Sequence, residues 1–327
     1  MKRRQTFVVL GLLALLVIFP LAIGSDYYRH IFIIALMWVV IGSSWNLLAG
    51  YTGQISFGHA IFFGVGAYSA GICTTKLGIS AWWGMLLGGP MAMLAGLFLG
   101  WICFRLRGSY FNLATLAIAE VFRLVAIYWK DLTEGMQGIL IITTFRSKIP
   151  YYFLALGLAA LCVFSISLII KSKWGFYFIA IREDQDAAEA LGISSFRYKS
   201  LSVMVSSFFT GLAGAFYMNY MGFIDPEVVF SLYFISIMAI LVAIIGGAGT
   251  IFGPPVGAFI MVLLQELFRS SFFGYAPKWV SNAHALAFGL LVILVIRFMA
   301  NGVVGDLPKI KALLLGDKPP PSVASEN

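Results

Sequence analysis

Long apolar runs, separated by glycine, proline and short charged clusters, dominate this chain. In order they cover residues 7–24, 31–49, 54–75, 80–104, 110–129, 151–171, 200–220, 231–246, 253–268 and 283–300. A helix rises ~1.5 Å per residue, so about 20 apolar residues cross a hydrocarbon layer ~30 Å thick. The runs are continuous, whereas strands of a membrane barrel would alternate in short segments. Without water in the bilayer core, the backbone must satisfy its own hydrogen bonds as helices. The pattern predicts an all-α, polytopic integral membrane protein of about eight to ten transmembrane helices. The runs at 54–75 and 231–268 are rich in glycine and are expected to be broken or re-entrant.

Composition agrees with the pattern. Of 327 residues, 61% are apolar and 11% charged, and the mean hydropathy is +0.93. A soluble domain would carry roughly a quarter charged residues. The net charge of +8 does not form a nucleic-acid-binding stripe, because the basic residues sit singly or in short clusters beside the runs. Their distribution instead orients the chain. If every run crosses and the N-terminus is cytoplasmic, Arg105, Arg107, Lys173, Arg182, Arg197, Lys199 and the basic residues of both termini lie inside. The opposite loops hold fewer: Arg29, Lys76, Lys130, Arg146, Lys148, Arg269 and Lys278. The bias of Lys and Arg toward the cytoplasm then puts both termini inside. The basic start at Met1–Arg4 followed by apolar Phe7–Ile23 reads as an uncleaved first membrane helix, being too long for a signal-peptide core. Residues 1–300 are expected to form one transmembrane domain. The Pro/Ser-rich end of the 301–327 tail is expected to be disordered.

Chemistry is sparse. Cys73, Cys103 and Cys162 fall inside apolar runs without metal or disulfide spacing and read as packing residues. There is no G-x-x-x-x-G-K-[ST] phosphate cradle and no nucleophile–base arrangement, so the chain is expected to be neither an ATPase nor another enzyme, and to need no cofactor or metal. Inside the spans, Glu120 and Arg123 stand three residues apart and are expected to neutralise each other. Glu266 and Arg269 repeat that spacing near a span end, and His284 reads as interfacial. Asn46, Gln54, Ser56 and His59 surround the first glycine-rich run, while Asn112 and Thr115 share a helix face. They are candidates for lining a translocation pathway, or for satisfying backbone groups freed by a helix break. Gly53, Gly58, Gly64, Gly66, Gly246, Gly247, Gly249, Gly253, Pro254 and Gly257 are candidates for helix breaks and close packing.

The longest polar stretch between spans, 172–199, is cytoplasmic in this topology. Arg182-Glu183-Asp184-Gln185-Asp186-Ala187-Ala188-Glu189-Ala190-Leu191-Gly192 predicts a helix of about two turns, acidic at its start and stopped by Gly192. Ser194 or Ser195 is placed to cap the next helix. A small, alanine-rich surface suits insertion into a groove on a cytoplasmic partner, with Ala188 expected on the docking face. A solvated connecting helix is the plainer alternative.

Four segments, in order, resemble one family. They are Gly53-Gln54-Ile55-Ser56-Phe57-Gly58-His59-Ala60, Arg105-Leu106-Arg107-Gly108-Ser109-Tyr110-Phe111-Asn112, the Arg182–Ile193 loop, and Gly246-Gly247-Ala248-Gly249-Thr250-Ile251-Phe252-Gly253-Pro254. Together they resemble the LivM-like permease subunits of branched-chain amino acid ATP-binding-cassette (ABC) importers. One departure is Phe176-Tyr177-Phe178 after Gly175, where the family commonly has Gly-Arg-Ala. The resemblance implies a bacterial inner-membrane permease that moves leucine, isoleucine, valine or related small amino acids by alternating access. Its implied partners are two ABC ATPase subunits, a second LivH-like permease subunit and a periplasmic or extracellular substrate-binding protein, besides membrane lipid. It gives 182–192 the role of coupling loop to the ATPases. Urea, short amides or aromatic acids are alternative substrates within the type. A stand-alone ion-coupled transporter is the rival outside it, disfavoured because Glu120 is the sole clear mid-span acid.

Overall fold

The computed structural model describes residues 16–21, 24–270, 289 and 302–305. The expected spans at 7–24 and 283–300, His284 and the tail beyond 305 lie, wholly or mostly, outside them. Among the described residues, six helical stretches are long and apolar enough to cross a membrane. They are Asp26–Tyr51, Ala81–Cys103, Ser109–Tyr128, Lys148–Lys171, Ser195–Met221 and Pro226–Gly246.

The elements run α1 (Asp26–Asn46) with a π-helical turn (Leu47–Tyr51), α2 (His59–Thr75), α3 (Ala81–Cys103), α4 (Ser109–Tyr128) and α5 (Lys148–Lys171). Then come α6 (Lys173–Glu183), α7 (Gln185–Ala190), α8 (Ser195–Met221), a short helix (Pro226–Val229), a second π-helical turn (Leu232–Ile237), α9 (Met238–Gly246) and α10 (Gly253–Ser270). Both glycine-rich runs are broken, at 52–58 and at 247–252. Pro254, expected at a break, starts a helix instead: it stands in the first turn of α10, where its missing N–H costs nothing.

Helix α1 is the centre of the bundle, with 89% of its most apolar window buried; in α4 only 22% is buried. Tight packing comes from small residues where α2, α3 and α8 meet. A Cβ on Gly66 would lie 2.0 Å from the Gly211 carbonyl oxygen, and one on Gly211 would lie 2.2 Å from the Ala92 Cβ. Gly88 closes the trio against Ala215 and the Gly66 carbonyl. In hydrocarbon, where apolar contact with lipid equals apolar contact with protein, such close approach supplies the association energy. Gly64 packs on the Phe230 ring, and Gly246 and Gly257 bring α9 and α10 together. The outward sides of α3 and α5 present Trp83, Leu86, Leu94, Phe98, Leu161, Phe164 and Leu168, an apolar surface for lipid.

One end of the bundle carries an arrangement without a sequence signal. In the 130–150 loop, the Ile139–Leu140 strand (β1) pairs antiparallel with Phe223–Ile224 (β2), and Ile139 and Ile141 are buried in the core. Lys76 and Glu134 form an ion pair at this same end. Cys73, Cys103 and Cys162 are free and buried.

Candidate functional site

The opposite end gathers residues 50–53, the 105–108 turn, 171–199 and 247–252. Ser172 begins α6 by accepting from Trp174 N at 3.2 Å, and Gly175 lets α6 fold against the last turn of α5, where a Cβ would meet the Ile170 carbonyl at 2.0 Å. The continuous 182–192 helix of the sequence reading is two pieces. Arg182 and Glu183 end α6, and the backbone turns extended at Asp184 (φ −154°, ψ 110°). Asp184 then caps α7, its carboxylate accepting from Ala187 N at 3.0 Å. Gly192, at φ 84°, closes α7 with the bonds Gly192 N to Glu189 O (2.9 Å) and Ile193 N to Ala188 O (3.0 Å). These satisfy carbonyls that a helix end otherwise leaves open. Ser194 occupies the N-cap position of α8, yet its side chain makes no capping bond.

Within α7 the expected docking face is partly reversed. Ala188 is buried against the chain itself (2% exposed), because the side of α7 that carries it rests on α8. The free face carries Asp186, Ala187, Glu189, Ala190 and Leu191, the last 82% exposed. A leucine so exposed at the tip of a polar loop gains nothing from water and suits an apolar socket. Gln185 donates to Glu189 at 3.0 Å, which holds the Glu189 carboxyl below its ordinary range.

Three side chains fasten the loop. Arg107, in the turn between α3 and α4, pairs with Asp186 at 2.8 Å. Lys199 of α8 donates to Gln185 Oε1 at 2.7 Å. Arg182 donates from Nη1 to the Gly50 carbonyl at 2.8 Å and from Nε to Glu183 at 3.0 Å. Gly53 and Gly249 stand against the same arginine. A Cβ on Gly53 would lie 2.9 Å from Arg182 Cγ, and one on Gly249 would lie 3.4 Å from Nη1. Their φ values, 73° and 74°, are nearly equal and belong to glycine. Each break therefore places a left-handed glycine against the Arg182 side chain. Asn46 locks them together: Gly249 N donates to its Oδ1 at 2.7 Å, and its Nδ2 donates to the Thr250 carbonyl at 2.8 Å.

Beyond Gly53 the chain runs non-helically to His59, and its own Ser56 and side chains from three neighbouring elements satisfy it. Trp45 Nε1 donates to the Ser56 carbonyl (2.9 Å), Ser56 Oγ accepts from Gly58 N (3.0 Å), and Thr115 Oγ1 accepts from Phe57 N (3.1 Å). Ser236, in the second π turn, donates to the Phe57 carbonyl (2.6 Å) and accepts from Ala60 N (3.0 Å). Thr115 in turn donates to the Asn112 carbonyl at 2.8 Å. Ser206 donates to the Ser44 carbonyl at 2.8 Å, so its 2.9 Å contact with His59 Nε2 assigns the proton to that nitrogen. Of the candidate pathway residues, Asn46, Ser56, His59 and Thr115 are fully buried inside the chain; Gln54 and Asn112 are half-buried.

Sequence reasoning did not find Ser236 or Ser206, which are small hydroxyl residues in apolar runs. It also missed Glu227, which joins the Glu120–Arg123 pair from the short helix after β2. Among the described residues no group of three His, Cys, Asp or Glu is placed to hold a metal ion.

Residues 27–300 match the family model described as branched-chain amino acid transport system / permease component. The high-affinity branched-chain amino acid transport system permease protein LivM of Escherichia coli K12 is 27% identical over 297 residues, which is 81% of this chain and 69% of that protein. LivH of the same strain is 26% identical, over 82% of this chain and 93% of its own length. The probable LivM of Methanocaldococcus jannaschii is 21% identical, over 84% and 92%. No solved structure matches. A break-containing bundle of apolar helices, matched over residues 27–300 by one family model, makes this multi-pass membrane protein a member of the branched-chain amino acid transport permease family.

Proposed function

We propose that the chain is the permease subunit of an ATP-driven importer for leucine, isoleucine and valine. It pairs with a second, LivH-like permease, and two ABC ATPases drive it from the cytoplasm. A binding protein delivers substrate to the β1–β2 end. The LivM and LivH names of the relatives support the substrate class and the pairing, and the Lys/Arg bias supports a cytoplasmic position for α7. The bacterial inner membrane is the expected location.

The observation that carries the reading is the position of α7. It is a short helix whose free face ends in an exposed leucine, and Arg182 immediately before it touches both helix breaks. Motion of the ATPases delivered to Ala187, Ala190 and Leu191 passes through Arg182 to Gly50 and Gly249, and from there to the broken segments. Broken helices are where substrate and pathway meet in transporters built this way. Asn46, Ser56, His59 and Thr115 hold that break in place rather than touching substrate.

The test is affinity capture of the full chain from its own host in mild detergent, followed by uptake in vesicles. Recovery of ATPase subunits with ATP-dependent uptake of leucine supports the reading. Recovery of the chain alone, active under an ion gradient, overturns it.

A further inference from the structure

We propose that α6 lies in the headgroup layer of the membrane, where Lys171, Lys173 and Arg197 seat anionic phospholipid headgroups. Its effect on coupling rests on the importer reading; the lipid contact does not.

The depth of α6 follows from the end of α5. The exposed apolar stripe of α5 runs through Leu161, Phe164 and Leu168, and Lys171 stands three residues after Leu168 on the same face. A lysine that closes such a stripe lays its stem along apolar surface and sends its ammonium to the headgroups. The chain turns at Ser172, so α6 begins at that depth. There it exposes aromatic rings: Trp174 is 46% exposed and Phe176 71%. The end of α3 repeats the arrangement, with the Arg105 guanidinium over the exposed Trp101 ring. Tryptophan at span ends marks the membrane–water interface. Phe176 belongs to the Phe176-Tyr177-Phe178 run that replaces the commoner Gly-Arg-Ala. Phe178 is buried and Tyr177 packs on Tyr198 of α8 with ring centroids 4.7 Å apart, which leaves Phe176 facing outward.

Charge selects the kind of lipid. Arg107 and Arg182 pair with acids of the loop, and Lys199 bonds Gln185. Lys171, Lys173 and Arg197 are exposed and have no acidic partner among the described residues. The Tyr177–Tyr198 contact brings the start of α8, with Arg197, beside α6. Residues 171–182 hold no Asp or Glu, whereas Glu183, Asp184, Asp186 and Glu189 follow directly. An anionic surface therefore attracts the start of α6 and repels α7, which turns the free face of α7 away from the bilayer. A partner protein is the other possible cover for Phe176, but the α5 stripe leads to this helix and places it against lipid. Helix α6 is then a strut about 16 Å long. One end is held by headgroups, and the other is Arg182, which touches both breaks.

The experiment places a nitroxide at Phe176→Cys in the complete importer; the native cysteines are buried, which keeps the background low. Membranes of phosphatidylcholine alone are compared with mixtures containing phosphatidylglycerol. The label should collide with oxygen in preference to an aqueous nickel complex, with or without bound ATPases. Phosphatidylglycerol retained by the purified chain, counted by mass spectrometry, should fall roughly fivefold for each cation removed in Lys171→Gln, Lys173→Gln and Arg197→Gln. Lys171→Arg with Lys173→Arg should retain it. Millimolar inorganic phosphate should not displace it, which separates a lipid seat from a free-anion site. Uptake per ATP should rise severalfold with phosphatidylglycerol in the unaltered chain and not in the triple glutamine variant. A label in water, a label shielded by the ATPases, displacement by phosphate, or equal lipid retention by the glutamine variant overturns the site. Uptake indifferent to phosphatidylglycerol overturns its effect on coupling. Failure of the unaltered chain to hold ATPases or to take up leucine with ATP overturns the importer reading and leaves the lipid measurements standing.

Discussion

Arg182 Nη1 lies 2.8 Å from the carbonyl oxygen of Gly50, and this bond joins the α6–α7 loop to the end of the most buried membrane helix among the described residues. The residues are 132 apart in sequence, yet they meet where both helix breaks begin. A charge-assisted bond of this kind contributes about 1.5–3 kcal/mol.

Arg182→Ala should therefore uncouple the machine without dissolving it. ATPase subunits remain bound through the free face of α7, while uptake per ATP hydrolysed falls roughly tenfold, in proportion to that bond. Parallel measurement of ATP turnover and uptake in proteoliposomes decides this. A fall in both together would point to lost assembly instead.

Substitutions within α7 should separate by face. Ala190→Arg and Leu191→Asp leave the chain folded and inserted but without its ATPases in a pull-down. Ala188→Leu acts differently, since the site is 2% exposed; overpacking costs about 1–3 kcal/mol and lowers thermal stability. Thermal melts in detergent beside the pull-downs distinguish the two classes.

Asn46→Ala removes both bonds between α1 and the 247–252 break, leaving the Gly249 N–H and the Thr250 carbonyl unpaired. Each group is half-buried, so each orphan costs about 1 kcal/mol, the low end for an unpaired group. The expected result is a lower melting temperature together with faster hydrogen exchange in 247–252. Exchange unchanged in that segment would contradict the role given to Asn46.

Gly66→Val should be among the most damaging single changes in the bundle. Its Cβ would fall 2.0 Å from the Gly211 carbonyl, and backbone cannot move aside as a flexible side-chain tip can. We expect loss of folded protein in the membrane, read by size-exclusion profile and protease resistance.

Much of this fold is legible in sequence because hydrocarbon imposes one simple rule. Apolar length fixes where Asp26–Tyr51, Ala81–Cys103 and Lys148–Lys171 cross, and glycine marks the breaks at 52–58 and 247–252. The α6–α7 loop is legible too, since Asp184 and Gly192 carry ordinary cap chemistry. What escapes depends on tertiary pairing. Nothing in the order of residues says that Ser236 bonds Phe57 across 179 positions, or that β1 pairs β2. The inward turn of Ala188 escapes for a related reason: a two-turn alanine-rich helix has little hydrophobic asymmetry, so packing on α8 decides its face.

The most direct test of the account is photo-crosslinking from Leu191, replaced by a photoreactive amino acid in the intact importer. Contact of α7 with the ATPases predicts a covalent adduct between this chain and an ATPase subunit, and loss of that adduct when Ala190→Arg is added. Adducts only with lipid or with this chain itself, while uptake continues, would contradict the coupling role.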